Sequence, residues 1–213
     1  MSTSESGLEK KSYHHGDLRT ALIEAGLTLL ETRAADDLGL REVARAVGVS
    51  PTAIYRHFPD KRALMVALAG EGLARLAVAQ RAASEAAGGG VAGFSATGAA
   101  YVRFALANPA LFRLIFANSG KGDLLAGQPE DEAFAFLRAN ATALAKAVGG
   151  DAQIVALQAW AIAHGLAMLM LDGQIPADES TIDAVVTGEL GGHCAEKPVA
   201  RQRTKAPARE RKR

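Results

Sequence analysis

Cysteine, aromatic residues and an apolar leader are scarce or missing in this sequence of 213 residues. The single cysteine, Cys194, excludes an internal disulfide framework and fits a reducing compartment. The first residues, MSTSESGLEKKSYHHGDLR, contain no apolar core of the kind that export signals carry. We therefore expect a cytoplasmic protein whose core is built without disulfide bonds.

Signals for strands and for common catalytic sites are absent as well. Aromatic residues make up 5% of the chain and apolar residues 49%, with alanine, the strongest helix former, prominent among them. Apolar residues recur at helical spacing and not in alternation, which predicts an all-α fold. No nucleophile elbow, P-loop or zinc-ligand spacing is present, so we expect no enzyme activity, no metal and no cofactor.

The net charge of +1 conceals three regions of different charge. Residues 1–65 carry nine Lys/Arg and nine Asp/Glu, residues 66–196 carry seven and thirteen, and residues 197–213 carry eight and one. Local patches therefore decide the partners of this chain, and the total charge does not. We expect residues 1–14 to form a flexible arm and residues 194–213 a basic, disordered tail, which either contacts DNA or is only solvated.

Two short helical segments joined by a glycine turn are typical of a helix-turn-helix. The first, LREVARAV, ends at Gly48, which suits a left-handed helix cap. The second is capped by Ser50, has Pro51 in its first turn, and is ended by Pro59. The small and apolar residues predicted to form the core of this motif are Val43, Ala44, Val47, Gly48, Val49, Ile54 and Phe58.

The second of these segments has an outward side suited to the major groove of DNA. At about 100° per residue, Ile54 and Phe58 fall within about 40° of each other and define the buried side. Thr52, Ala53 and Arg56 fall on the opposite half. An arginine there can donate two hydrogen bonds to guanine, and small residues can meet bases or a thymine methyl group. We therefore predict these three residues to face the bases.

Residues on the flanks of the same segment, and at the start of the next helix, are predicted to contact phosphates. The flanks point toward the two sugar-phosphate walls of the groove. Asp60 is expected to cap the next helix, whose free N–H groups and first-turn lysine would form a phosphate site. The predicted phosphate contacts are Tyr55, His57, Lys61 and Arg41. An ordinary solvated helix is the alternative interpretation, which the neighbouring helix and glycine turn make less favourable.

Residues 13–69 resemble TetR/AcrR-type bacterial transcriptional regulators. The resemblance runs from YHHGDLR through LREVARAVGVSPTAIYRHFPDKRALMVALA and includes the Tyr-x-His-Phe-x-x-Lys spacing. Gly39 departs from the family pattern, which usually has Ser or Thr capping the second helix. The resemblance implies a helix-turn-helix domain at residues 15–70, with a long fourth helix continuing to about residue 87. It also implies a C-terminal helical bundle at residues 91–193 that binds ligand and dimerises.

The function implied by this resemblance is that of a repressor. It would bind a palindromic DNA operator as a homodimer, near the nucleoid, and a small molecule would release it. The resemblance assigns the same base-facing and phosphate-facing roles as the helical angles. The alternative is a helix-turn-helix interaction protein, or a nucleoid-associated protein, that exerts no direct transcriptional control. An enzyme whose pocket contains Trp160 and His164 is a third hypothesis.

The C-terminal half resembles the family branch that carries a Trp…His-Gly signature, through AYVRFALANPALFRLIF and WAIAHGLAMLMLDG. Residues 154–171 are apolar almost all round, and their number borders on that of a membrane span. Gln158, His164 and acidic flanks at Asp151 and Asp172, with no Lys/Arg anchor nearby, favour a bundle or dimer helix instead. We therefore expect no membrane partner.

Aromatic residues concentrated in the C-terminal half suit an apolar cavity for an apolar or amphipathic effector. A plain core position is the alternative for each of them, and a satisfied structural histidine is the alternative for the one histidine in the set. The pocket candidates are Phe104, Phe112, Phe116, Trp160, His164 and Met168.

Overall fold

The computed structural model describes residues 15–117 and 132–188, and every regular element within them is a helix. The predicted arm at residues 1–14 and the predicted tail at 194–213, with Cys194, lie outside the described residues. The all-α fold predicted from composition is confirmed. A short 3-10 helix, Ala35–Asp37, follows the first α-helix. The α-helices are α1 His15–Leu30, α2 Leu40–Val47, α3 Pro51–Tyr55, α4 Lys61–Ala86, α5 Gly90–Ala107, α6 Pro109–Ala117, α7 Glu132–Val148, α8 Ala152–Leu171 and α9 Glu179–Thr187.

The turn between α2 and α3 depends on Gly48. Its φ of 76° and ψ of 24° are left-handed, a conformation that residues with side chains rarely adopt. The Val49 amide then donates to the Ala44 carbonyl at 3.0 Å, which satisfies a carbonyl at the end of α2. The predicted glycine cap is thus confirmed, and it fixes the direction in which α3 leaves α2.

Helix α3 is shorter than predicted, because it ends at Tyr55 and not at Pro59. The chain continues as a turn in which the Phe58 amide still donates to the Ile54 carbonyl at 2.9 Å. Ser50 occupies the cap position, but its hydroxyl makes no capping hydrogen bond, contrary to expectation. The Ala53 amide, which that hydroxyl would bind, instead donates to the Ser50 carbonyl at 2.9 Å in a tight first turn.

Two large buried clusters form most of the interior of the described residues, and α4 and α6 contribute to both. The N-terminal core, built on α1, α2 and α3, includes Leu68 of α4 together with Leu111 and Ile115 of α6. The C-terminal core, built on α5, α7, α8 and α9, includes Leu76 of α4 and Phe112 of α6. Because helical side chains three and four apart share a face, α6 presents one face to each core.

A glycine at the boundary between the two cores lets α4 and α6 approach closely. A Cβ atom at Gly72 would lie 2.9 Å from the Leu111 Cδ1 atom and 3.0 Å from the Ile115 Cδ1 atom. Such distances are too short for ordinary van der Waals contact, so a side chain here would require the ends of the Leu111 and Ile115 side chains to move. The absence of a side chain at this position therefore leaves room for both of them against α4.

Two of the described helices, α4 and α8, are long and apolar enough to cross a membrane by length and composition alone. The number rises to three if α5 and α6, bent by 107°, count as one span. The apolar window of α8 has a mean hydropathy of 1.8, yet only 28% of it is buried within one chain. Much of this helix is therefore both apolar and uncovered.

Candidate functional site

The residues predicted to face DNA bases lie on the solvent side of α3 or directly after it. Thr52 and Arg56 are exposed, and Ala53 is half-buried. Ile54 and Phe58 are wholly buried, at 0% and 1% exposure. The two buried side chains fix how far α3 can rotate, so its other side stays in solvent, where a groove can receive it.

The residues predicted to contact phosphates occupy different environments. Tyr55 is 45% exposed, Arg41 on α2 is exposed, and His57 is half-buried. Lys61 is half-buried, and its ammonium group donates to the Asp36 carbonyl of the 3-10 helix. The sequence gives no sign of this bond, because the two residues are 25 positions apart. In this conformation Lys61 therefore ties the start of α4 to the turn before α2.

The start of α4 is capped as predicted. The Asp60 carboxylate accepts a hydrogen bond from the Ala63 amide at 2.7 Å. One of the free N–H groups at this helix end is thereby satisfied internally, and those that remain are available to an anion.

The residues predicted to form the helix-turn-helix core divide into two groups. Val43, Ala44, Ile54 and Phe58 are at 0–1% exposure, whereas Val47 and Val49 are partly buried against them. Gly48 is exposed at the turn. The Arg19 guanidinium lies 5.4 Å from the centre of the Phe58 ring, so a cation from α1 covers the edge of this core.

A cavity of about 90 Å³ lies inside the C-terminal helices. Helices α4, α5, α6, α7, α8 and α9 all contribute to its wall. Of the six pocket candidates, Phe116 and Trp160 line this cavity. The sequence did not single out the polar residues in its wall, which are Gln80, Ser95, Thr97 and Tyr101. A polar residue on an otherwise apolar helix face is the signal that could have identified them.

The other four pocket candidates lie away from the cavity wall. Phe112 is 0% exposed and packs edge-on to Tyr101, with ring centres 5.4 Å apart. Phe104 and Met168 pack against the core clusters. His164 lies beside Tyr101 and not on the cavity wall. Helical spacing places all these side chains in the interior, but the packing of α5, α6 and α8 against one another decides which of them reach the cavity.

Tyr101 stands at the centre of a hydrogen-bonded chain that joins α5 to α8. The Trp160 Nε1–H group donates to the Tyr101 Oη atom at 3.3 Å, and that hydroxyl lies 2.8 Å from the His164 Nδ1 atom. Burial raises the pKa of Tyr101, so its hydroxyl keeps the proton and donates it to Nδ1. His164 is then neutral, with its own proton on Nε2. Burial also lowers the pKa of His164, which favours this neutral form.

Acid is expected to destabilise the protein through His164. The pKa of this residue is about 6.5 in an unfolded chain and lower in the folded protein. As pH falls below about 6.5, the unfolded chain binds a proton that the folded protein does not, so the free energy of unfolding decreases. Urea unfolding between pH 7.5 and 5.5 measures this slope. The His164→Gln variant should have a smaller slope, and an unchanged slope would show that other groups cause it.

The described geometry is that of a helical DNA-binding regulator, and comparisons with known proteins agree. Residues 22–68 match the family model of bacterial regulatory proteins of the tetR family. Residues 94–190 match the model of the tetracyclin repressor-like C-terminal domain. The chain belongs to the TetR family of bacterial transcriptional regulators.

Solved structures show the same fold. A protein of unknown function from Rhodococcus sp. RHA1 is 37% identical, with a TM-score of 0.68, over 84% of this chain and 94% of that chain. A tetR-family transcriptional regulator from Streptomyces coelicolor is 20% identical, with a TM-score of 0.59, over 81% of this chain and 78% of that chain. At 20% identity the second match supports the fold alone.

Proposed function

We propose that this protein is a dimeric repressor that binds a palindromic operator and is released from it by a small molecule. In this proposal, residues 15–70 form the DNA-binding domain, with α4 continuing to about residue 87. Residues 91–193 form the domain that binds the effector and dimerises. The observation that carries the proposal is the position of α6, which has one face on the cavity and the other in the N-terminal core.

The two faces of α6 give a ligand a physical route to the DNA-binding helices. Phe116 lines the cavity and packs 5.0 Å from Phe112, measured between ring centres. Leu111 and Ile115, on the other face, pack in the N-terminal core and touch α4 at Gly72. Because packed interiors resist compression, a ligand that displaces Phe116 must move α6 and, with it, the contact to α4.

The small volume of the cavity supports a change of shape on binding. Pockets for drug-sized ligands span about 300–1,000 Å³, whereas this cavity has about 90 Å³. Most effectors would therefore bind only after its walls separate. A ligand that binds the open form better than the closed one shifts the population toward the open form. The proposed open form separates the two recognition helices by a distance that no longer fits the operator.

The DNA contacts in this proposal follow from the exposure of α3. Thr52, Ala53 and Arg56 read base edges, and Arg56 donates to a guanine. Tyr55 and His57, together with Arg41 and Lys61, hold the sugar-phosphate backbone. Lys61 contacts a phosphate after its ammonium group leaves the Asp36 carbonyl.

The uncovered face of α8 supports a dimer. Ile154, Leu157 and Leu169 are 52%, 46% and 47% exposed and lie on one side of the helix with Ala161. Val185 on the neighbouring α9 is 42% exposed. Apart from Gln158, which is exposed on the same side, this surface is apolar, and a second copy of the same face would cover it.

Replacing Arg56 by alanine tests the DNA-binding part of the proposal. We expect preference for one base pair in each half-site to relax by about 1–3 kcal/mol, since a bidentate contact to guanine is lost. Selection of bound fragments from random DNA, before and after the change, measures this. Arg81→Ala on α4 is a matched control, because Arg81 pairs with Glu132 and lies outside α3.

The same selection separates the proposed repressor from the alternatives. Unchanged preference in the Arg56→Ala variant would exclude base reading by this residue. A palindromic consensus supports a dimeric operator, whereas weak, scattered binding without a consensus would favour a nucleoid-associated protein.

A further inference from the structure

We infer that the effector is a small, uncharged molecule with an apolar body and one hydrogen-bond donor, of which phenol is the simplest example. The donor would bind the side-chain oxygen of Gln80. This inference rests on the proposed function of the cavity as the effector site, and it adds the chemical class of the ligand.

The charge of the ligand follows from the cavity wall. Among the described residues that line it, none is Asp, Glu, Lys, Arg or His. An unpaired charge in such surroundings loses its hydration without compensation, which strongly disfavours its binding. Carboxylates and ammonium groups are therefore excluded from the ligand's buried part, and an uncharged molecule is favoured.

The hydrogen-bonding character follows from Gln80, a buried amide on α4. It is 7% exposed, and its Nε2 atom donates to the Thr97 carbonyl of α5 at 3.3 Å. This bond uses one of the two N–H groups of the amide and orients its nitrogen toward α5. No described residue donates to its Oε1 atom, so the wall offers a free acceptor.

Tyr101 leaves an acceptor as well. Its hydroxyl has one proton and two lone pairs. The proton is donated to His164, and one lone pair accepts the bond from Trp160. One lone pair is left for a ligand. Of the four polar side chains in the wall, Gln80 and Tyr101 therefore each offer an acceptor, and a ligand that donates complements them.

The size of the ligand follows from the volume. An apolar cavity of about 150 Å³ holds benzene, and this cavity has about 90 Å³. A single six-membered ring therefore fits after small shifts of the aliphatic and aromatic side chains around it, such as Leu73, Leu76 and Phe116. A single ring would also press on Phe116, the residue that connects the cavity to α6.

Trp160 makes the inference directly measurable. It is the single tryptophan of the chain, and it lines the cavity. Quenching or shift of its fluorescence therefore reports occupation of this site. The probes are phenol, toluene, benzoate and benzylammonium, which have similar ring size and differ in charge and donor capacity. Each is titrated into the full-length protein at pH 7.5.

The expected ranking in the wild-type protein is that phenol and toluene bind and that both charged probes bind at least about a hundredfold more weakly. In Gln80→Leu, phenol should bind about tenfold more weakly, while toluene should change by less than about twofold. Gln174→Leu, an exposed glutamine outside the cavity, should leave both affinities unchanged. Gln80→Met provides a second variant of similar shape if Gln80→Leu does not fold.

Three outcomes would overturn the inference. These are tighter binding of benzoate or benzylammonium than of phenol, no response of Trp160 to any probe, and equal loss of phenol and toluene affinity in both Gln80 variants. If neither variant folds, the wild-type ranking alone decides. A parallel titration of the protein–operator complex separates this inference from the proposed function. Phenol that binds without releasing DNA contradicts the proposed release, whereas release by a charged probe contradicts only the ligand class.

Discussion

Ala161→Glu is expected to leave the protein folded but monomeric, with operator affinity reduced by at least about a hundredfold. Ala161 is exposed on the uncovered face of α8, between Leu157 and Leu169. In a two-fold interface each substitution occurs twice, so two carboxylates would be buried close together without partners. Separate monomers then bind each half-site independently and lose the gain in affinity that comes from linking two sites.

Light scattering after size-exclusion chromatography measures the oligomeric state, and titration of labelled operator DNA measures the affinity. Ala82→Glu is the matched control, because Ala82 is an exposed helical alanine on α4, outside the face of α8. The control should behave as the wild-type protein does in both measurements. A dimeric Ala161→Glu protein would show that subunits associate through another surface.

Phe112→Ala is expected to lower the free energy of unfolding by about 3–5 kcal/mol. The Phe112 ring is completely buried and packs against Tyr101, Phe116 and His164, at ring-centre distances of 5.4, 5.0 and 5.6 Å. Truncation leaves a void that these rings cannot all fill, so the lost contacts add to the lost apolar burial. Urea unfolding at a fixed protomer concentration measures the effect, since dimerisation would make stability depend on concentration.

Phe116→Ala is the matched comparison, since it removes an identical ring one turn along α6. Phe116 is half-buried and already borders the cavity, so its loss should cost only about 1–2 kcal/mol and should enlarge the cavity. An equal or larger loss for Phe116→Ala would contradict the distinction between a core ring and a cavity ring.

The helices of the DNA-binding half could be predicted largely from local signals. The glycine at position 48 and the aspartate at position 60 are strong local determinants, and both adopt the expected capping roles. The end of α3 could not be placed, because Pro59 marks only the last position at which a helix could stop. Between the end of α3 at Tyr55 and Pro59, the chain forms a turn that keeps one helix-like hydrogen bond, from the Phe58 amide to the Ile54 carbonyl. Local residue preferences do not distinguish such a turn from a further turn of helix.

The cavity was less predictable, because it depends on contacts between distant segments. The pairing of Tyr101 with His164 spans 63 positions, and that of Tyr101 with Trp160 spans 59. Helical spacing assigns side chains to an inner face but does not say which helix each one meets. The packing of α8 against α5 brings Tyr101 to Trp160 and His164, while α6 places Phe116 at the cavity and Phe112 in the core.

The length of α4 determines how far its first residue moves when the helix tilts. Its 26 residues form one continuous helix from the end of the helix-turn-helix to the C-terminal core. At a rise of about 1.5 Å per residue, the helix is about 39 Å long. A tilt of about 5° about its far end displaces its first residue by about 3.4 Å, which equals the separation of adjacent base pairs. In the proposed mechanism, a rotation of this size moves the recognition helix, which directly precedes α4, by about one base-pair step along the duplex.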